Sequence, residues 1–267
     1  MNNLFKQNSA KLCRAALAIT VLLALLFRIL ALLFSFDAQI GYFQKGSILI
    51  LLTYVLEGIS VALCAALPFL INNARVRGAS ASPGVAELIG AIFTAMMLPI
   101  TAAYLLLKGR TELVAPALLS ILAALLCLIG IGFFVTRLFS FKQDTRALFG
   151  YALIFGAALL MMIAYLDRYT QTNAPHKLSQ HLCMLCMMLA VLYEARALVG
   201  RDLPRVRLAV TALAFALCGI FSLSNLIAFC AGAYDDLTYL VCDLPALGFA
   251  IYSGARLFSA IGEEVEA

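Results

Sequence analysis

The stretch His176-Lys177-Leu178-Ser179-Gln180-His181-Leu182-Cys183-Met184-Leu185-Cys186 gathers both histidines of the chain beside a Cys-x-x-Cys pair. Imidazole and thiolate ligands together suit a zinc site, and Cys-x-x-Cys alone suits thiol–disulfide exchange. Helical geometry divides the group. At about 100° and 1.5 Å per residue, Cys183 falls about 20° from His176 but about 10 Å along the axis, while His181 lies about 140° away. Zinc ligands stand only about 2 Å from the ion, so these four side chains on one helix do not share a metal. Cys183 and Cys186 do share a face and form a candidate redox pair, with Cys230 and Cys242 as a candidate relay. Their place, two to three turns inside the helix, is away from the N-terminal dipole that stabilises a thiolate. Their neighbours Met184, Met187 and Met188 are soft packing residues. His176, Lys177 and Gln180 then read as a polar rim where the helix leaves the membrane.

Charges inside apolar blocks are costly and are therefore candidates for function. Arg28, Glu57 and Asp243 qualify. Arg28 and Glu57 lie about 12 and about 15 Å from the same end of two consecutive blocks, which as an antiparallel hairpin brings them to one level. Asp243 is about 9 Å deep and precedes Pro245, which loosens a helix backbone. Arg28, Tyr54, Glu57, Asn225 and Asp243, with Ser224 nearby, are expected to line an intramembrane polar pocket. The bland reading of the same charges is an ion pair that fixes helix packing. Glu194 and Arg196 read either as part of a cytoplasmic gate or, more commonly for such residues, as interfacial anchors, and Glu87 as a first-turn carboxylate that complements a helix dipole. Asp235 and Asp236, with Asp167 or Asp37, offer too few oxygens for a hard cation. No metal, cofactor or catalytic motif is expected.

The elements that position these residues are read from hydrophobicity. The 267-residue chain is 64% hydrophobic and 12% charged, with a mean hydropathy of +1.01, against roughly half apolar and a quarter charged in soluble domains. The excess lies in long uninterrupted blocks, each near the ~20 residues that cross a bilayer. Eight spans are expected, at 13–36, 47–71, 85–107, 113–136, 147–166, 176–199, 208–232 and 237–259, forming an all-α polytopic transmembrane helix bundle in one membrane-embedded domain over residues 1–267. The first block is long enough to span and lacks a small-x-small cleavage site, so it reads as a retained helix. Ser82-Pro83-Gly84 and Asn173-Ala174-Pro175 open spans three and six; Gly200 and Gly232 close spans six and seven.

Basic residues are unevenly shared between the two sides: thirteen of nineteen fall on the side of the N-terminus, five on the other, and Arg28 lies within a span. The positive-inside rule places both termini in the cytoplasm. Scattered as they are, these charges fit lipid headgroups and not nucleic acid. Arg137-Leu138-Phe139-Ser140 and Arg256-Leu257-Phe258-Ser259 end spans four and eight, as a four-plus-four duplication would have it, although four common membrane residues also coincide by chance.

Around Asn173-Ala174-Pro175-His176-Lys177-Leu178 and Leu192-Tyr193-Glu194-Ala195-Arg196 the chain resembles a family of polytopic bacterial membrane proteins. The resemblance covers the sixth span and the general plan. It implies a bacterial cytoplasmic membrane and carries no activity or site residues. With nearly all its mass in the lipid bilayer, the protein is expected to be a small-solute permease or carrier. The other readings are a membrane sensor or scaffold that recruits a cytoplasmic partner through Arg201–Arg207, and an embedded thiol oxidoreductase using Cys183 and Cys186.

Overall fold

A computed structural model describes residues 2–37, 41–70, 78, 82–111, 114–139, 142–166, 174–233 and 237–261. Eight α-helices follow one another: α1 Asn2–Phe34, α2 Ile48–Ala66, α3 Val85–Gly109, α4 Val114–Leu138, α5 Gln143–Leu166, α6 Pro175–Leu198, α7 Pro204–Cys230 and α8 Leu237–Ala260. All eight are long and apolar enough to cross a membrane, and the protein is a multi-pass membrane helix bundle. The helices match the expected spans to within a few residues, except at the start of α5 and α7, where polar turns extend the helix by one turn, and in α1, which runs back to Asn2. Span two ends in a 3-10 turn, Leu67–Leu70, which holds Pro68. No strand is expected in an all-α bundle; the link between α1 and α2 nevertheless folds as a short ribbon, β1 Phe36–Asp37 against β2 Tyr42–Phe43, with Gly41 at φ +73°.

Six of the helices form a closed ring. Each of α3 to α8 packs on its sequence neighbour, and α8 returns to pack on α3. The α1–α2 hairpin lies outside this ring against α7. The packing therefore divides as two plus six, not as the two four-helix halves that the Arg-Leu-Phe-Ser coincidence suggested.

The hairpin is held by hydroxyls. In α2 the buried residues are Thr53, Glu57, Ser60 and Cys64, one stripe at helical spacing. Thr53 Oγ1 donates to the Phe27 carbonyl at 3.1 Å and Ser60 Oγ to the Thr20 carbonyl at 3.0 Å. Lipid tails are as apolar as leucine, so small and polar residues, not large apolar ones, select a helix partner. The outward faces carry Leu51, Val55 and Ile59, all exposed.

The seam that closes the ring shows the same logic. Gly90 lies so close to α8 that a Cβ there would stand 2.7 Å from the Tyr252 Cα; a Cβ at Gly248 would stand 2.8 Å from the Thr94 Cα. Further along the same antiparallel register, Thr101 Oγ1 donates to the Val241 carbonyl at 2.8 Å, and Tyr104 and Thr238 hydroxyls meet at 2.7 Å. Pro245 lies inside α8 and has no N–H to give the carbonyl four residues earlier, which is Val241. Thr101 supplies the missing donor, as a polar neighbour must in a water-free interior. At the loops, Gly200 and Gly232 adopt φ +83° and +77°. The following residues, Arg201 and Ala233, bond back to Arg196 and Ala228 at 2.9 Å, which makes both glycines αL helix caps.

The Thr101–Val241 bond predicts a coupled pair of substitutions. Thr101→Val should lower unfolding free energy in detergent by about 1–3 kcal/mol, the cost of a buried carbonyl left unpaired. Adding Pro245→Ala, which restores a backbone donor for Val241, should recover most of that loss. Additive effects in a denaturant-titration double-mutant cycle would contradict the assignment.

Candidate functional site

Helix direction alternates, so one end of the bundle collects the starts of α1, α3, α5 and α7 and the ends of α2, α4, α6 and α8. We call this end basal and the other distal. Each carries a cluster of buried charge.

The basal cluster draws on five of the six ring helices. Glu87 comes from the first turn of α3 and Arg146 from that of α5. Arg137 comes from the last turn of α4, Glu194 and Arg256 lie just before the last turns of α6 and α8, and Tyr252 lies one turn before Arg256. All six are buried. Arg137 Nε donates to Glu87 Oε1 at 2.7 Å, and Arg256 Nη1 donates to both Glu87 oxygens at 3.2 and 3.3 Å. Arg256 Nη2 also lies 3.8 Å from Glu194 Oε1. Glu194 Oε1 accepts from Arg146 Nη2 at 2.5 Å and from the Tyr252 hydroxyl at 3.0 Å. Three guanidiniums thus surround two carboxylates. The Arg146 guanidinium also sits 4.8 Å over the Phe133 ring, whose π face accommodates part of the excess positive charge. Behind the network Phe133, Phe134, Phe249 and Tyr252 pack as an aromatic plug, with ring centroids 5.3 Å apart for Phe133–Phe134 and for Phe134–Tyr252. This end of the ring is closed by charge and then by aromatic surface.

The distal cluster gathers side chains of the α1–α2 hairpin, which packs on α7, and of α6, α7 and α8. Arg28 Nη1 donates to Glu57 Oε1 at 3.1 Å, and its guanidinium covers the Phe221 ring at 4.8 Å and the Phe43 ring at 5.6 Å. One turn along α7 from Phe221, Asn225 Nδ2 donates to Asp243 Oδ2 at 2.8 Å. His176 Nε2 stands 3.7 Å from the same oxygen. Gln180, one turn further on α6, faces the Asp243 carboxylate. Arg28, Asn225 and Asp243 are each 2% exposed and Gln180 1%. The two clusters differ in what is left over. At the distal end the oxygens Asp243 Oδ1, Asn225 Oδ1 and Gln180 Oε1 have no hydrogen-bond partner. At the basal end both oxygens of Glu87 and of Glu194 are bonded, and guanidinium nitrogen such as Arg146 Nε is left over.

Of the residues singled out from sequence, Arg28 and Glu57 therefore form one pair and Asn225 and Asp243 another. Tyr54 lies at the edge of the first pair: it is 48% exposed, its ring is edge-on to Phe43 at 6.4 Å, and its hydroxyl interacts electrostatically with Arg28 and Glu57. On α2 it is rotated about 60° from Glu57, in the sense opposite to Thr53. Ser224 bonds its own helix, to the Phe221 carbonyl at 3.0 Å. His176 and Lys177 are not an exposed rim; both are buried, because the start of α6 is covered by its neighbours. Glu194 is not an interfacial anchor, and Glu87 does more than face a helix dipole. Both turn inward to meet arginines that also turn inward. Arg196 behaves as expected of an edge residue, its guanidinium 5.4 Å over Tyr193. In the basic segment Arg207 is held by both oxygens of Asp202 at 3.0 Å. Asp167, Asn173, Asp235 and Asp236 lie outside the described residues.

Cys183 and Cys186 are buried free thiols. Cys183 Sγ donates to the Leu217 carbonyl and Cys218 Sγ to the Cys183 carbonyl, both at 3.4 Å, so these sulfurs bridge α6 to α7. His181 turns elsewhere, with Nδ1 2.6 Å from the Lys177 carbonyl and its ring against Tyr165. Among the described residues no three His, Cys, Asp or Glu side chains are grouped as metal ligands.

Fold and clusters together define a polytopic membrane bundle with a charge network at one end whose carboxylate oxygens are all engaged and a polar cluster at the other with oxygens left unbonded. No protein-family model, curated protein or solved structure matches the chain.

The basal network predicts an order of stability effects. Glu87→Gln, which leaves Arg137 and Arg256 buried without their shared carboxylate, should cost about 3–5 kcal/mol. Tyr252→Phe removes one hydroxyl from between charges that stay paired and should cost about 1.5 kcal/mol. Unfolding of the purified variants in detergent checks the order.

Proposed function

We propose that the protein is a carrier or permease for a small polar solute, seated in a bacterial cytoplasmic membrane with its basal end towards the cytoplasm. The orientation follows from the excess of arginine and lysine on the basal side, and the host from the resemblance of the sixth span. The observation that carries the functional reading is the unfinished distal cluster. A buried polar atom without a partner is costly, the more so in a membrane interior. A group of them at one level, drawn from α6, α7 and α8, has the character of a binding site.

The packing supports the same reading. The cluster sits at the boundary between the hairpin and the ring, two units that pack together chiefly along α7. Relative movement of two packed units is a usual way for a membrane carrier to open a site that lies between them. The basal charges and aromatic plug then hold the opposite end closed. Ion pairs that break and re-form suit that task better than an apolar seal, because their partners specify one geometry.

Reconstituted vesicles test the proposal. Uptake from a panel of small polar solutes is expected in wild type. Asp243→Asn should lower it about ten-fold or more, the weight of one charge-assisted hydrogen bond, while its melting temperature in detergent stays near that of wild type. Cys183→Ala with Cys186→Ala should leave uptake intact, since those sulfurs serve packing. Absence of flux for every solute, with and without an ion gradient, would refute the carrier reading.

A further inference from the structure

We propose that Asp243, Asn225 and Gln180 form a binding site for a single positive charge, either a dehydrated alkali-metal ion or a primary ammonium group. The inference deepens the carrier reading and rests on it for the use made of the site, but the binding itself is independent of flux.

The argument starts from the balance of charge. In the distal cluster Arg28 and Glu57 are matched to each other at 3.1 Å. Asp243 has no such match. Among the described residues the one side chain within ion-pair distance that can carry a positive charge is His176, at 3.7 Å and only when protonated. A carboxylate buried to this degree needs either a counter-charge or several donors. Asn225 gives one donor, to Oδ2, and Oδ1 receives none.

The atoms around that oxygen indicate what is missing. Asn225 uses its N–H on Asp243, so its carbonyl Oδ1 faces the cluster unbonded. Gln180 turns its amide to Asp243, with Nε2 as the second donor directed at the carboxylate and Oε1 unbonded. Beside the buried Asp243 carboxylate the cluster therefore holds two buried amide oxygens, of Asn225 and Gln180, that no donor reaches. Oxygen acceptors without donors call for a cation or for N–H groups that bring their own charge. One carboxylate and two neutral oxygens supply one negative charge. That balances a singly charged guest, whereas a hard divalent ion takes six or more oxygens and usually more carboxylates. A sodium ion and an alkyl-ammonium group are alike here: each offers one positive charge to a small cup of oxygens.

The neighbours fit this role. Arg28 sits between Glu57 and the Phe221 ring, which keeps its positive charge engaged away from Asp243. Pro245, two residues beyond Asp243, interrupts the α8 ladder, and Thr101 holds the freed carbonyl in place. The carboxylate is thus mounted on a helix turn that is fixed from outside and not by its own next hydrogen bond.

The test is thermal unfolding of the purified full chain in detergent, at constant pH and ionic strength, with tetramethylammonium chloride as the background salt. Sodium, lithium, potassium and methylammonium chlorides are each titrated in its place. At least one of these small cations should raise the melting temperature saturably, as a ligand bound to the folded state does. A response to alkali ions alone identifies a metal-ion site, and a response to methylammonium alone an ammonium site. The midpoint should weaken about ten-fold in Asn225→Leu, an effect of about 1.4 kcal/mol, and saturation should vanish in Asp243→Asn. Where Asp243→Asn does not fold, Gln180→Met and retention of radioactive sodium or methylammonium by the wild-type protein take its place. No saturable shift and no retention with any of the four cations would overturn the site. So would a response that survives in all the folded variants. Vesicles that show no flux while this binding persists would sink the carrier reading and leave the site standing.

Discussion

Glu87 is the residue on which the closed ring depends. A carboxylate in a membrane interior must be matched by positive charge held at hydrogen-bond distance, and Glu87 is matched twice, by Arg137 and by Arg256. One side chain thereby ties α3 to both of its neighbours in the ring. Arg256 extends the tie to Glu194, and Glu194 to Arg146, so α5 and α6 enter the same network. In water such pairs contribute little, because solvent competes for each partner. Here no solvent competes, and each guanidinium has few other places to satisfy its donors. The geometry of the ring end is consequently set by charge, and the apolar surfaces fill in around it.

The two ends of the molecule are built from similar residue types to opposite effect. At the basal end carboxylates are over-supplied with donors, and an aromatic plug lies directly behind them. At the distal end the carboxylate Asp243 is under-supplied, and amide groups, which can both donate and accept, surround it. An arrangement of amides is adaptable: Asn225 and Gln180 can turn to suit a guest, whereas a guanidinium bonded to two carboxylates cannot. The first end is suited to holding a shape and the second to exchanging one partner for another.

Much of the architecture is legible in the residues alone, because a membrane reduces secondary structure to a one-dimensional question of apolar run length. The eight helices follow from it, as do the caps at Gly200 and Gly232 and the shared level of Arg28 and Glu57. The two-plus-six packing does not. Nearly every face of these helices is apolar, so the contrast that tells inside from outside in a soluble helix is faint. It survives only in the small and polar positions, such as Thr53, Glu57 and Ser60 on α2 or Gly90 and Thr94 on α3. The basal network is hidden for a different reason. Glu87, Arg137, Glu194 and Arg256 occur at helix ends, where a charge has an inexpensive alternative in the headgroup region, and residue type does not reveal which way it turns. The same ambiguity makes His176 and Lys177 look exposed. Tyr54 and Glu57 differ only by a modest rotation on one helix, enough to separate lipid from interior.

The α3–α8 seam also bears on how such a chain is made. Helices enter the membrane in order of synthesis, and the first and last members of this ring are the two that must meet. From α3 through α7 the assembly is an open arc. In that arc Thr101 has no Val241 carbonyl to bond, and Glu87 has Arg137 but awaits Arg256. Arrival of α8 completes both at once and brings Tyr252 to Glu194. An arc without α8 thus leaves these polar groups on its open edge, and the last helix supplies their partners. The hairpin is exempt: Arg28 and Glu57 neutralise each other as soon as α2 is in place.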